Sequence, residues 1–205
     1  GKTMKTIEKS LKCAGVLMLA CAMTIGLGVC LSGCGASNEE DTIRGVLTQE
    51  LDALKNMDDE MIEKILAEGT SGAEVFAEVG IEAETFVRNV FGGVDYTIDS
   101  VSVDGDKATA TVTLAHKDLG AAVTAFWEGL VSNEQLISES KNMSEEDAMK
   151  KIGALLMEAI QNEKKVSDTV DVALEKGGET WEISADGTQA VMSIFTNGLA
   201  EAFQS

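Results

Sequence analysis

The sequence predicts an α+β fold, and two observations lead to that prediction. Two segments alternate apolar and polar residues around short turns, as β-hairpins do, and apolar residues recur at helical spacing before, between and after them. A curved antiparallel sheet of the two hairpins, packed against several helices on its concave side in a cone-like shape, buries all the apolar sides together. We expect residues 43–205 to form a single α+β domain, which is long enough to build its own core.

Helical spacing dominates the chain from residue 43 to residue 91. The first predicted helix carries the apolar residues Ile43, Val46, Leu47, Leu51 and Leu54. Asp58 is positioned to cap a second helix, which Gly69 ends. A third apolar run is broken near Gly80 and ends at Gly92-Gly93, so we expect the N-terminal part of the domain to be helical.

The first hairpin turns at Asp104-Gly105-Asp106. In its second strand, the residues from Ala108 to His116 place apolar side chains and the histidine on one face and threonines on the other. In its first strand, the apolar parity changes between Ile98 and Val101. This change predicts a β-bulge near Asp99-Ser100, and a bulge bends a sheet.

Helix and hairpin alternate again in the second half of the chain. Helical spacing predicts a helix over residues 119–130, and Ser144 with Asp147 resembles a capping box that opens the next helix. The second hairpin occupies residues 170–183. We expect Asp186 to cap a last helix.

The N-terminal residues have the form of an export signal. Met4 opens a lysine-bearing segment, and residues 13–29 are apolar or small apart from Thr24. The tetrapeptide Leu31-Ser32-Gly33-Cys34 follows and resembles the lipobox of bacterial lipoproteins. This resemblance implies that signal peptidase recognises Leu31, Ser32 and Gly33, and that Cys34 receives the diacylglycerol.

We therefore expect residues 1–33 to be a lipoprotein signal peptide and residues 34–42 to be a lipidated tether attached to the membrane through Cys34. The predicted location is the extracytoplasmic face of the bacterial cell membrane, because the lysines precede the apolar run and acidic residues follow it. The alternative is an uncleaved transmembrane anchor, since about 20 apolar residues can span a bilayer.

Composition excludes several classes of function. The cysteines are Cys13, Cys21, Cys30 and Cys34, so cleavage before Cys34 leaves no free thiol, and disulfides, thiolate catalysis and iron–sulfur sites are excluded from the mature chain. The chain contains one histidine, which excludes a histidine-rich metal site, and we expect no cofactor. The net charge of −19 repels phosphate backbones, so we expect no nucleic-acid partner.

The two hairpins carry a resemblance to a known family. Residues Tyr96 to Val112 and Val172 to Ile183, together with the lipobox, resemble bacterial lipoproteins with a nuclear-transport-factor-2-like, or cystatin-like, domain. The resemblance covers residues 40–205. It implies a curved sheet with helices on its concave side, in a fold that hosts isomerases, dehydratases and many non-catalytic binding modules.

A ligand pocket is predicted on the apolar face of the first hairpin. Val112, Leu114 and His116 share that face, and the curvature that a bulge produces would open it at one end. We expect a pocket lined by Tyr96, Val112, Leu114, His116 and Trp127.

Each polar or aromatic residue of this pocket also has a plainer interpretation. His116 is either a pocket acid or base or a simply hydrogen-bonded strand residue, and Trp127 is either a ligand platform or a core anchor. In the isomerases of the resembled fold, a tyrosine and a carboxylate act together. Asp95 and Asp99 have the opposite strand parity from Tyr96, so we expect them on the other face.

Two classes of function therefore remain. The favoured one is a non-catalytic lipoprotein module that binds a small apolar ligand, a peptide or an envelope protein. The alternative is a small pocket enzyme of isomerase or hydrolase type on the same fold. An open apolar pocket would favour the enzyme, and a sheet face filled by helices would favour the module.

Overall fold

The computed structural model describes residues 38–68 and 76–196 of the chain. Its helices are α1 (Glu39–Asn56), α2 (Asp59–Glu68), α3 (Ala83–Val90), α4 (Leu119–Ser132), α5 (Glu134–Ser140), α6 (Glu145–Asn162) and α7 (Ala185–Thr196). Its strands are β1 (Asp95–Asp104), β2 (Lys107–Lys117), β3 (Lys165–Gly177) and β4 (Thr180–Ile183). The predicted signal peptide and Cys34 lie outside the described residues.

The four strands form one antiparallel sheet in the order β1-β2-β3-β4. Ile98 pairs with Val112 and Ser100 pairs with Thr111, so Asp99 lies between two register positions as the extra residue of a bulge. The predicted α+β class, both hairpins and the bulge are confirmed.

Strand β3 is longer than the sequence predicted. It begins at Lys165 rather than near Val170, and it pairs with β2 as far as Lys117. The added residues include Ser167, Asp168 and Thr169, which lack the apolar alternation of a strand. Pairing with β2 imposes their extended conformation, because a tertiary partner can override local propensity.

The apolar side chains form two clusters. The first core lies between the inner face of the sheet and α1, α2 and α7, and the second core lies among α3, α4, α5 and α6. Phe91 packs against both cores. The inner face of the sheet is therefore covered by helices, as the sequence predicted, while its outer face carries polar side chains.

Of the three predicted helix caps, those at Asp58 and Ser144 are confirmed. The carboxylate of Asp58 accepts a hydrogen bond from the Met61 N–H at 2.8 Å, and the hydroxyl of Ser144 accepts one from the Asp147 N–H at 3.1 Å. The prediction for Asp186 is wrong. Ser184 caps α7 instead, because it is the first residue after β4 and its hydroxyl accepts from the Gly187 N–H at 3.0 Å.

The start of α1 also differs from the prediction of a tether up to residue 42. The helix begins at Glu39, and the Asn38 side chain accepts a hydrogen bond from the Glu40 N–H. Glu39, Glu40 and Asp41 occupy its first turn, where negative charge interacts favourably with the N-terminal end of a helix.

Candidate functional site

His116 lies on the inner face of β2 and is 3 % exposed. Its Nε2 is 2.7 Å from Asp168 Oδ2 on β3, and its Nδ1 is 2.9 Å from the carbonyl oxygen of Lys117. The ring also meets the edge of the Phe195 ring, with 5.5 Å between the centroids. The histidine therefore joins two strands and the last helix.

Both neighbours of the His116 ring nitrogens are hydrogen-bond acceptors. A neutral imidazole carries one N–H, so the tautomer determines which of the two acceptors receives a hydrogen bond. A general base needs a nitrogen that faces the substrate proton. In this geometry both nitrogens of His116 face protein groups, so the arrangement fits a structural link rather than a catalytic base.

Tyr96 contacts α1 rather than the carboxylates next to it in the sequence. Its hydroxyl donates to Asp52 Oδ1 at 2.6 Å and lies 3.4 Å from the carbonyl oxygen of Thr48. Burial, and then the hydrogen bond to the Asp52 carboxylate, raise the pKa of Tyr96 to about 12. Sequence reasoning missed Asp52, since no local pattern connects positions so far apart.

The two acidic neighbours of Tyr96 have other partners. Asp95 forms an ion pair with Lys55 at 3.0 Å, and that hydrogen bond is the main reason why the pKa of Asp95 is lowered. Asp99 accepts hydrogen bonds from the hydroxyls of Thr97 and Thr113, at 3.1 Å and 2.6 Å. Asp99 is therefore on the outer face of the sheet, as strand parity predicts.

The five predicted pocket residues do not lie in one place. Val112 and Leu114 have no exposed surface and belong to the first core, and Tyr96 packs against the same core. Trp127 instead packs against the second core. At Val112 and Leu114 the inner face of the sheet is filled by side chains.

A cavity of about 440 Å³ opens between α1 and α2. Met57 adopts a left-handed backbone conformation with φ of 44°, which turns the chain between the two helices. The cavity wall contains four carboxylates, one lysine, two amide side chains, an alanine and a methionine, from the residues Gln49, Glu50, Asp52, Ala53, Asn56, Asp58, Glu60, Met61 and Lys64. Its charge disfavours anions, and two of its carboxylates already accept hydrogen bonds, Asp52 from Tyr96 and Asp58 from the Met61 N–H.

The outer face of the sheet is covered by hydroxyls and carboxylates. Thr113 contacts Thr169 at 3.0 Å, and Thr111 donates to Asp171 at 2.9 Å. These side chains are exposed, so β1, β2 and β3 present a polar network to solvent. Such a surface offers hydrogen-bond partners without an apolar pocket.

Comparisons with protein-family models, with curated proteins and with solved structures find no match for this chain. Within residues 38–68 and 76–196, no helix has the length and apolar character needed to cross a membrane. Among the same residues, no three histidine, cysteine or acidic side chains come together as a metal site would require.

Proposed function

We propose that this chain is a bacterial lipoprotein, anchored through Cys34 at the extracytoplasmic face of the cell membrane, whose folded domain is a non-catalytic binding or interaction module. The anchor is supported by Leu31-Ser32-Gly33-Cys34 at the end of an apolar run that follows a lysine-bearing segment. Two acyl chains hold a protein stably on a membrane, because each buried methylene contributes about 0.8 kcal/mol. The domain would therefore act close to the membrane.

The observation that carries the non-catalytic assignment is the filled inner face of the sheet. Ala110, Val112 and Leu114 have no exposed surface, and both nitrogens of His116 are engaged by protein acceptors. Enzymes on folds of this architecture need a concavity in which acid and base groups converge on a substrate. The described side chains support binding at the surface instead.

We further propose that the fold is of the nuclear-transport-factor-2-like, or cystatin-like, kind. Support comes from an antiparallel sheet whose inner face packs against helices, and from the bulge at Asp99, because a bulge bends a strand. The sheet of the described residues has four strands and is not closed. The function proposed above does not depend on this finer assignment.

The anchor is tested by the intact mass of the chain extracted from the membrane of a bacterial host. We expect a species that begins at Cys34 and carries diacylglycerol, with residues 1–33 removed. Cys34→Ala should remain unprocessed, because the acyl acceptor is lost. Cys30→Ala is the matched control, since it changes another cysteine of the predicted signal peptide, and it should be processed like the wild type. A wild-type species that retains residues 4–33, or normal processing of Cys34→Ala, would exclude the lipoprotein proposal.

A further inference from the structure

Strand β3 has an edge that no other described strand covers. β4 pairs only with residues Leu174–Gly177 of β3, whereas β2 pairs with β3 from Lys165 to Glu175. Residues 165–172 therefore have a strand on one side and none of the described strands on the other. This segment is named the open edge of β3.

The direction of the backbone groups along the open edge follows from Ala173. Its carbonyl oxygen accepts a hydrogen bond from the Ser184 N–H at 3.0 Å, on the β4 side of the strand. Peptide groups point to alternate sides along a strand, so the N–H and C=O groups of Ser167, Thr169 and Asp171 point to that same side. Within the described part of the chain these backbone groups have no hydrogen-bond partner.

The side chains along the open edge are exposed and unlike those of a protected edge. Val166 is 38 % exposed, and Val170 is only partly buried against the first core. Edge strands are usually protected by a bulge, a proline, an inward-pointing charge or a covering helix. Helix α7 packs closely against β3, and its first turn approaches the strand at Ala173, next to the open edge. β1, at the other side of the sheet, has the bulge at Asp99, and Arg44 donates to the Ile98 carbonyl oxygen at 3.2 Å. The register of β3 with β2 runs without a bulge.

Charge determines which partner fits the open edge. On the outer face of the sheet, Asp171 lies on the edge, and Glu175 and Glu182 face each other just beyond it. Asp168 lies on the inner face, where it contacts His116. A second copy of this chain would bring like charges together, with a net charge of −19 on each molecule. Lys165 lies at the opposite end of the edge, opposite Lys117 of β2. Basic side chains of a partner should therefore lie on the outer face, toward Asp171 and Glu175.

We propose that the open edge of β3 binds an extended, lysine- or arginine-bearing segment of a partner protein as an added strand. Main-chain hydrogen bonds to Ser167, Thr169 and Asp171 hold the segment, and alternate side chains contact Val166 and Val170 on the inner side. The proposal rests on the interaction-module function, and it names the surface and the chemistry of the partner. It does not rest on the lipid anchor, whose test at Cys34 leaves β3 unchanged.

The test uses the full chain and an acetylated, amidated hexapeptide of alternating lysine and valine. A hexapeptide of alternating glutamate and valine is the charge control. We expect millimolar or tighter binding of the lysine peptide only, and slowed hydrogen exchange at the amides of Ser167, Thr169 and Asp171.

Thr169→Pro removes an N–H that points away from β2, so the ladder with β2 is retained while a hydrogen bond to the peptide is lost. Thr169→Ala is the matched control, since it also loses the hydroxyl contact with Thr113 but keeps the N–H. We expect Thr169→Pro to bind the lysine peptide at least about tenfold more weakly than Thr169→Ala does. Emission of the buried Trp181 reports whether each variant is folded.

Four results of the peptide-binding and exchange experiments would overturn the proposal. These are equal binding of the two variants, equal binding of the two peptides, absence of binding, and protection that maps to the cavity between α1 and α2. Self-association of the wild type that Thr169→Pro abolishes would also overturn it, in favour of a second copy as the occupant. If Thr169→Pro does not fold, the exchange map of the wild type decides alone.

Discussion

At the residue scale, individual polar side chains join elements that are distant in the sequence. The Tyr96 hydroxyl donates to Asp52 and thereby connects β1 with α1. The His116 ring connects β2 with Asp168 of β3 and with Phe195 of α7. Sequence analysis identified Tyr96 and His116 as candidate site residues. It did not predict their partners Asp52, Asp168 and Phe195.

Tyr96→Phe removes the hydroxyl that donates to Asp52. We expect a loss of about 1 kcal/mol in the free energy of unfolding at neutral pH, because the hydrogen bond is made to a carboxylate but is partly exposed. Equilibrium unfolding in urea measures this loss.

The same variant should change how stability depends on pH. The pKa of Tyr96 is raised from 10.0 to about 12, so the folded protein holds the phenol proton more tightly than the unfolded chain does. This contribution is complete below pH 10 and is lost as the pH rises toward 12. The wild type should therefore lose more stability than Tyr96→Phe over that interval. Parallel curves for the two proteins would show that the Tyr96 hydroxyl is not held by Asp52.

At the scale of elements, close packing between α6 and the turn before α3 depends on one glycine. A Cβ at Gly153 would lie 2.0 Å from the carbonyl oxygen of Val79, so only glycine permits this approach. Gly80, the next residue, has φ of 68°, where glycine is favoured. The sequence predicted a break at Gly80, but not the helix that packs against it.

Gly153→Ala should destabilise the domain by about 1–3 kcal/mol, although alanine is the better helix former, because the new methyl group pushes α6 away from Val79. Gly129→Ala in α4 is the matched control. A Cβ there meets no atom within 4 Å, so this substitution should stabilise by about 0.5–1 kcal/mol. Thermal unfolding separates the two cases. A stabilising effect of Gly153→Ala would contradict the contact between α6 and Val79.

At the scale of the whole molecule, the two apolar cores are the main source of stability. The sequence leaves only Cys34 as a cysteine after the predicted cleavage, and the described residues hold no group of three metal-binding side chains. Stability should come from side chains such as Trp181 and Leu47, which are 1 % and 0 % exposed.

We therefore expect neither a metal chelator nor a thiol reductant to change the melting temperature of the mature chain, residues 34–205. A bound metal stabilises the folded state by mass action, so removing one would lower the melting temperature. A decrease of several degrees with chelator would contradict this expectation. It would indicate a metal site at the carboxylates of the cavity between α1 and α2, where Asp52 and Asp58 lie.

The sequence by itself determined the α+β class, the two hairpins, the bulge at Asp99 and the caps of α2 and α6, because these follow from periodicity, turn residues and capping residues within a few positions. It also carries the lipobox at Cys34, which remains a prediction. Parity along β1 and β2 correctly separated Asp99 from Tyr96 and placed Val112, Leu114 and His116 on one face.

Only the tertiary structure decided what that face contacts. Helices fill the inner face at Val112 and Leu114, and Trp127 belongs to the second core. The sequence could not predict this, because packing between remote segments decides which core a helix joins. The extension of β3 to Lys165 and its open edge also depend on non-local pairing, since the length of a strand is set by its neighbours as well as by its own residues.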